Sequence, residues 1–229
     1  MKLPSSISLN GLHLKLIGWG FTLFHLASLL LFPVDQAPMP KVILSFLGYI
    51  ALPIFSFLLV EGFAYTGSRL RHALLVLGAA VLTEPFYDFY RSGVWLDLAG
   101  PGGNNILFAY ALGLLQLHFI SYMGTGSWFR TICTVIMVIA CSIWSGILNI
   151  PNGGVVQLLV GIFYLLHEHP KVKNWAAAAV SLVGSGTAVL AIPVILCYND
   201  EPGEYNKYIF YIAYPLVWIA AALIKLFAA

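Results

Sequence analysis

Long apolar segments dominate the chain and are separated by short connections rich in glycine, proline and polar residues. A helix crosses a bilayer with about 20 apolar residues, and these segments lack the alternation of barrel strands. Because a spanning segment must satisfy its own backbone hydrogen bonds, the pattern predicts an all-α, polytopic membrane helical bundle. We expect eight transmembrane helices, at residues 12–32, 42–64, 70–90, 104–122, 128–148, 154–167, 174–197 and 208–227.

The segment boundaries predict one transmembrane domain over residues 1–229, since no internal repeat or linker divides the chain. The first apolar segment is long enough to remain as a permanent helix rather than a cleaved signal peptide. The sixth, residues 154–167, is short for a full span, and a tilted or re-entrant helix fits it equally well.

Composition agrees with a membrane protein, because 60% of the residues are hydrophobic and only 9% are charged. A soluble domain carries about 25% charged residues. The net charge of +2, without a basic and aromatic cluster, argues against nucleic acid as a partner. Three cysteines in apolar segments, with no CxxC pair, predict neither a disulfide framework nor a zinc site.

The lysines and arginines predict the orientation, because cytoplasmic loops are enriched in them. With a cytoplasmic N-terminus and eight alternating helices, eight of the 11 lie inside and three outside. Both termini are then cytoplasmic, and residues 198–207 face outside. The inside set is Lys2, Lys15, Arg69, Arg71, Arg130, Lys171, Lys173 and Lys225, and the outside set is Lys41, Arg91 and Lys207.

Ionisable groups at membrane depth are candidates for function, because each costs about 2.5–3.5 kcal/mol on insertion scales. Glu84 and Asp88 stand four residues apart and share one helix face. Pro85 between them frees a backbone carbonyl. His25 lies at a similar predicted depth in the outer half of the first helix.

These groups predict an outward-facing cavity that suits general base catalysis, with a carboxylate orienting the imidazole. His25, Glu84 and Asp88 are the predicted catalytic residues. Asn104, Asn105 and Tyr214, expected at the same level, are the predicted substrate-binding residues. Alternatively, the same side chains only hydrogen-bond helices to each other, or the two asparagines only cap a helix.

Two further polar groups fall at the predicted cytoplasmic side. Glu61 ends the second predicted helix and is followed by Arg69 and Arg71, which indicates either a structural ion pair or a gate or cofactor site. His167 and His169 resemble metal ligands in spacing, but residues two apart do not share a helix face. No metal site is therefore predicted.

Four segments resemble the TraX family. Residues 52–63, LPIFSFLLVEGF, followed by Tyr65 and Thr66, are similar to the family hallmark, and residues 82–88, LTEPFYD, are similar to the next conserved segment. The start of the following helix at Asn105 and residues 210–216 also resemble family segments. Their order and spacing cover nearly the whole chain.

This resemblance implies a multi-pass protein of the bacterial cytoplasmic (inner) membrane. The founding TraX protein is associated with N-acetylation of conjugative pilin, so the resemblance implies transfer of an acetyl or other acyl group from acyl-CoA. The acceptor is then an amine or hydroxyl of a peptide, pilin or glycan, and membrane lipid is the other expected partner. The phosphates of CoA would meet basic side chains at the cytoplasmic face, beside Glu61: Arg69, Arg71, Arg130, Lys171 and Lys173.

Two segments depart from the family pattern. In the family a first-helix lysine is followed by nine residues and then Asp-His, where this chain has His25 and Leu26 after Lys15. The family also ends Tyr-Pro-Leu-His, where this chain has Val217 in place of histidine. These departures favour an alternative, a non-catalytic TraX-fold protein that binds a lipid or peptide or belongs to a larger complex. A small transporter using Glu61 and Glu84 is a third hypothesis, against which no repeated halves are found.

Overall fold

The computed structural model describes residues 8–32, 36–98, 100, 102–123, 128–206 and 208–228. Within these ranges the regular elements are helices, apart from an isolated β-bridge between Leu9 and Tyr198. The all-α prediction is confirmed. The helices are α1 (Gly11–Leu30), α2 (Met39–Gly48), α3 (Ala51–Tyr65), α4 (Arg69–Ser92), α5 (Leu107–Tyr122), α6 (Trp128–Ile147), α7 (Gly153–Leu165), α8 (Pro170–Ser185), a 3₁₀ turn (Thr187–Leu190), α9 (Ala191–Leu196) and α10 (Tyr208–Ala228).

Among the residues that the structure describes, three helical stretches are long and apolar enough to cross a membrane: Met39–Tyr65, Arg69–Ser92 and Tyr208–Phe227. The first contains both α2 and α3, which are separated only by Tyr49 and Ile50. Other apolar helices are shorter, including Leu107–Tyr122 and Gly153–Leu165. The membrane character is thus supported, whereas the count of eight spans is not.

Helix α4 has the inverted polarity expected of a membrane protein, with apolar side chains outward and acids inward. Ser68 caps its start by accepting a hydrogen bond from the backbone N of Arg71, and Gly93, with φ +80°, caps its end. Its buried residues include Thr83, Glu84 and Asp88. Its exposed large residues include Leu70, Leu74, Leu77 and Val81.

The chain forms two compact units. Unit 1 contains Met1–Gly62 and Ile162–Tyr205, and unit 2 contains Phe63–Gly161 and Asn206–Ala229. The sequence-based assignment of a single transmembrane domain stays a prediction.

In unit 1, α1 runs antiparallel to α2 and α3. Ser45 donates a hydrogen bond to Ser28 (Oγ–Oγ 2.9 Å), and Gly18, earlier in α1, packs against the Phe55 ring in α3. Gly48 packs directly on the backbone and Cβ of His25. Small residues at this crossing allow the close approach that membrane helices use.

The predicted seventh helix is broken in unit 1. Gly186, with φ +65°, ends α8, and the chain then continues through the 3₁₀ turn into α9. Positive φ is readily adopted by glycine because it lacks a Cβ. Thr187 at the turn donates a hydrogen bond to the carbonyl of Phe46 in α2. Residues 174–197 therefore form a hairpin and not one continuous helix.

The chain after this hairpin returns to the beginning of α1. The backbone N of Leu9 donates to Cys197 O (2.9 Å), and that of Asn199 donates to Leu9 O (2.9 Å). Gly11 N likewise donates to Glu201 O at 2.7 Å. Residues 197–201 thus lie beside the N-terminal segment, because Gly186 reverses the chain, and the predicted placement of residues 198–207 on the outside is not confirmed. Lys207 itself lies outside the described residues.

In unit 2, α4 and α10 run parallel. Arg71, near the start of α4, donates a hydrogen bond to the Tyr208 hydroxyl at the start of α10 (2.7 Å). Lys225, near the end of α10, donates to the carbonyls of Phe89 (3.2 Å) and Tyr90 (2.7 Å) at the end of α4. Eight alternating spans require these two helices to be antiparallel. The parallel direction of α4 and α10 does not fit that alternation, and the eight-span topology is not confirmed.

Helices α5, α6 and α7 complete unit 2. Gln157 in α7 donates a hydrogen bond to Ala109 O in α5 (2.8 Å), and Gln116 in α5 donates to Gln157 O (3.3 Å). A side chain at Gly161 would clash with Val138 in α6. These polar contacts hold α5, which begins two residues after Asn105, against α7.

Candidate functional site

Among the described residues, each unit holds a buried carboxylate that has polar neighbours. The Glu84 cluster, in unit 2, consists of Glu84, Tyr87, Asp88, Asn105 and Tyr214. The Glu61 cluster, in unit 1, consists of Glu61, His167, Lys173, Tyr198 and Asp200.

Glu84 is held by Asn105 through one carboxylate oxygen. Glu84 is 2% exposed, and its Oε2 accepts a hydrogen bond from the backbone N of Asn105 (3.1 Å) and another from Asn105 Nδ2. The same Nδ2 donates to Ala80 O at 2.9 Å. Oε1 is buried with no hydrogen-bond partner among the described residues. One oxygen is therefore fixed, while the other is available for a ligand or a proton.

Asn105 is positioned by the local turn and, through its neighbour Asn104, by the two residues that follow α6. Gly103 has φ +65°, and the backbone N of Asn104 donates to Asn149 O (3.0 Å). Asn104 Nδ2 donates to Leu148 O at 2.5 Å. The Asn105 Oδ1 accepts from Leu107 N (3.0 Å) at the start of α5. The asparagines thus have anchoring roles, and substrate binding by them stays a prediction.

Aromatic residues border the Glu84 cluster. The Tyr87 ring packs edge-on against Trp218, with centroids 4.7 Å apart, and its hydroxyl donates to Gly102 O (3.2 Å). Tyr214 lies one turn before Trp218 and interacts electrostatically with Tyr87 and Glu84. The structure therefore brings Tyr214 to Glu84. Tyr87 and Trp218 were not predicted, although Tyr87 belongs to the LTEPFYD segment.

Asp88 ties the end of α4 to the connection that follows. It is 3% exposed, and its Oδ2 accepts a hydrogen bond from the backbone N of Asp97 at 2.7 Å. This contact gives Asp88 an anchoring role, and its catalytic role stays a prediction.

His25 belongs to unit 1, whereas Glu84, Asp88, Asn104, Asn105 and Tyr214 belong to unit 2. The centroid of the His25 ring lies 6.0 Å from that of the Tyr49 ring. The backbone carbonyl of His25 accepts a hydrogen bond from Ser28 Oγ at 2.6 Å. The pairing of His25 with Glu84 stays a prediction.

The Glu61 cluster surrounds Phe57, which precedes Glu61 by one turn of α3. The Phe57 ring lies 5.3 Å from the Tyr198 ring, and Lys173 Nζ lies 5.6 Å from the same ring. Glu61 is 9% exposed, hydrogen-bonds with Tyr198, and interacts electrostatically with His167, Lys173 and Asp200. Helices α3 and α8 and the residues after α7 and α9 thus meet around one carboxylate.

The predicted partners of Glu61 were Arg69 and Arg71, whereas the interactions within unit 1 are with His167, Lys173 and Tyr198. The sequence could not reveal Tyr198 because the eight-span topology placed it on the opposite face. Burial lowers the pKa of Lys173, and the nearby Glu61 and Asp200 act against that shift.

The predicted CoA-binding cations do not form one cluster within either unit. Lys171 and Lys173 belong to unit 1, while Arg69 and Arg71 belong to unit 2. Lys171 is exposed, and Arg71 is engaged by Tyr208. The side chain of Arg130 lies outside the described residues.

The model of the TraX protein family matches residues 13–225. The chain belongs to the TraX family. The matched region includes every residue of both clusters. The two segments that resemble TraX hallmarks, residues 52–63 and 82–88, contribute Glu61 and Glu84, the central carboxylates. Comparison of this TraX-family chain with curated proteins and with solved structures finds no match.

Proposed function

We propose that this TraX-family chain is a membrane acyltransferase that moves an acetyl or other acyl group from acyl-CoA to an amine or hydroxyl. The observation that carries the proposal is the Glu84 carboxylate, which is buried, fixed at Oε2 by Asn105 and without a partner at Oε1 among the described residues. A buried carboxylate in fixed geometry suits proton transfer, provided that it reaches the reacting group.

In the proposed reaction, Glu84 Oε1 accepts a proton from the acceptor as its nitrogen or oxygen attacks the thioester carbonyl. A carbon–nitrogen or carbon–oxygen bond forms, the carbon–sulfur bond breaks, and the proton passes to the CoA thiolate. Asn105 holds the carboxylate in one orientation, and the nearby Tyr214 borders the acceptor. A positioned general base contributes about 10²–10⁴ in rate. In the alternative assignment, His25 is the base and Glu84 orients it.

The proposal includes a membrane topology that replaces the eight-span one. With a cytoplasmic N-terminus, α1, α2–α3, α4, α5, α6, α7 and α10 cross, while α8 and α9 form a re-entrant hairpin. The pairing of Leu9 with Asn199 and the parallel α4 and α10 support this path. The C-terminus then faces outside the bacterial inner membrane. Lys207 moves inside and Lys225 outside, so the ratio stays eight to three among the 11 cations.

The test compares Glu84→Gln with Asp88→Asn, a matched change one turn along the same helix. Purified variants in lipid nanodiscs receive acetyl-CoA and peptide, amino sugar or hydroxyl acceptors, and released CoA is measured with the unfolding midpoint. We expect Glu84→Gln to lower turnover by about 10²–10⁴ at nearly unchanged stability, and Asp88→Asn to lower stability more than turnover. If His25→Gln abolishes turnover and Glu84→Gln does not, the base is His25.

One set of results would overturn the acyltransferase proposal. If the wild type releases no CoA with any acceptor, and Glu84→Gln is only less stable, the buried carboxylate is a structural group. The non-catalytic TraX-fold alternative, a lipid-binding or peptide-binding protein or a subunit of a complex, then replaces the enzyme.

A further inference from the structure

A polar pocket of about 440 Å³ opens in unit 2 beside the turn between α3 and α4. It is open to the surface, since Gly67, Arg69 and Tyr122 are exposed. One wall comes from the turn and the first residue of α4, and the other comes from the last turns of α5. The lining residues are Thr66, Gly67, Arg69, His118, Ser121 and Tyr122.

The side chains of this pocket suit an anion. They supply one guanidinium, one imidazole and three hydroxyls, and none of the lining residues is acidic. A guanidinium presents a planar fork of donors that matches phosphate oxygens. Gly67 adds room for a ligand, since a Cβ there would meet no atom within 4 Å.

The pocket side chains are held by neighbours. The Arg69 guanidinium lies 4.5 Å from the centroid of the Phe63 ring, a stacking contact that orients it. The His118 ring packs edge-on against Tyr122 at 4.9 Å, and Ser121 Oγ donates to His118 O at 2.7 Å. The binding groups are therefore partly oriented before a ligand arrives.

Arg69 differs from its neighbour Arg71, which the predicted CoA-binding set also contained. Arg71 donates to the Tyr208 hydroxyl at 2.7 Å and lies over the same ring. Arg69 lines the pocket itself. Arg69 thus belongs both to the predicted CoA-binding residues and to the lining of this pocket.

We propose that this pocket binds a phosphate or diphosphate ester, with Arg69 and His118 as the charged and polar anchors. If the ester is the diphosphate or 3′-phosphate of the acyl-CoA donor, this inference rests on the proposed function. The same chemistry is offered by the headgroup of an anionic phospholipid. In both cases the ligand enters from the face on which α4 begins.

The experiment titrates CoA, dephospho-CoA and inorganic pyrophosphate into the full chain in phosphatidylcholine nanodiscs, by calorimetry. The variants are Arg69→Gln and His118→Gln, with Lys41→Gln as a control that removes one positive charge outside the pocket. Loss of one charge-assisted contact weakens binding about ten- to hundredfold. We expect that loss with Arg69→Gln for CoA and pyrophosphate, a smaller loss with His118→Gln, and none with Lys41→Gln.

A second arm distinguishes the lipid source. Native mass spectrometry counts phosphatidylglycerol retained by wild type and by Arg69→Gln. If CoA and pyrophosphate do not bind but wild type alone retains phosphatidylglycerol, the phosphate belongs to a lipid headgroup. If Arg69→Gln changes neither the titrations nor the lipid count, the proposal is overturned.

Failure of the pocket and failure of the enzyme are separable, because pyrophosphate binding requires no acyl transfer. Pyrophosphate binding that depends on Arg69 supports the pocket even if no acceptor is acylated. Acyl transfer with an unchanged KM for acyl-CoA in Arg69→Gln, together with unchanged titrations, overturns the pocket and leaves the proposed function standing.

Discussion

Asn105→Ala tests the contact that organises the Glu84 cluster. The substitution removes the Nδ2 hydrogen bonds to Glu84 Oε2 and to Ala80 O, and the Oδ1 acceptor of Leu107 N. The backbone N of Asn105 still donates to Glu84 at 3.1 Å, so the carboxylate keeps one of its donors. The change therefore weakens the support of Glu84 without removing the carboxylate.

The magnitude follows from these three hydrogen bonds. Hydrogen bonds in membrane proteins average about 0.6 kcal/mol, and a buried polar group left unsatisfied costs about 1–3 kcal/mol. Three hydrogen bonds at about 0.6 kcal/mol each give a loss of about 2 kcal/mol. The cost of buried groups left without a partner increases this loss. We expect Asn105→Ala to lower the free energy of unfolding by about 2–4 kcal/mol.

The assay is reversible unfolding in mixed detergent and SDS micelles, followed by circular dichroism. Asn104→Ala is the matched control, because among the described residues the Asn104 side chain makes one hydrogen bond, to Leu148 O at 2.5 Å. We expect it to cost about 0.6–1.5 kcal/mol. If the two variants lose the same stability, the three contacts of Asn105 do not carry the cluster and the reasoning is refuted.

Three further predictions concern packing, the Glu61 cluster and topology. Gly48→Ala should lower the free energy of unfolding by about 1–3 kcal/mol, because the new Cβ overlaps His25. Gly20→Ala, whose Cβ would meet no described atom within 4 Å, should be neutral or stabilising, and equal unfolding midpoints for the two variants would contradict this packing. Glu61→Gln and Tyr198→Phe should be coupled by about 0.5–1.5 kcal/mol in a double-mutant cycle, and additive losses would show that their hydrogen bond is not energetically significant. A reporter fused to the C-terminus should be external and one in the turn after α9 cytoplasmic, and a cytoplasmic C-terminal reporter would refute the proposed topology.

Much of the helical architecture was readable from the apolar segments. Turn residues placed most boundaries within a few residues, since helices end where the chain can no longer continue its hydrogen bonds, as at Gly93. The reversal at Gly186 was hidden because the apolar composition continues through α9, and a glycine in an apolar helix also fits simple packing. The positive-inside count does not distinguish the eight-span topology from the proposed one, since the proposed one exchanges Lys207 and Lys225 and leaves the count unchanged.

The candidate site was predicted in part. Helical spacing predicts that Glu84 and Asp88 share one face, and the predicted spans put Asn105 and Tyr214 at the same depth. In the structure Asn105 and Tyr214 both interact with Glu84. The surroundings of Glu61 were missed, because Lys173 and Tyr198 reach it only through the α8–α9 hairpin. Contacts between distant segments depend on chain direction, which local patterns did not reveal.

The most direct test of the proposed acyl transfer is the mass of the acceptor after incubation with isotopically labelled acetyl-CoA. Wild type in nanodiscs is compared with Glu84→Gln at matched protein concentration, with a peptide carrying a free N-terminal amine and with hydroxyl and amino sugar acceptors. The account predicts a labelled acetyl group on at least one acceptor with wild type, and about 10²–10⁴ less with the variant. Absence of labelled product with wild type, or equal product from both proteins, would contradict catalysis through Glu84.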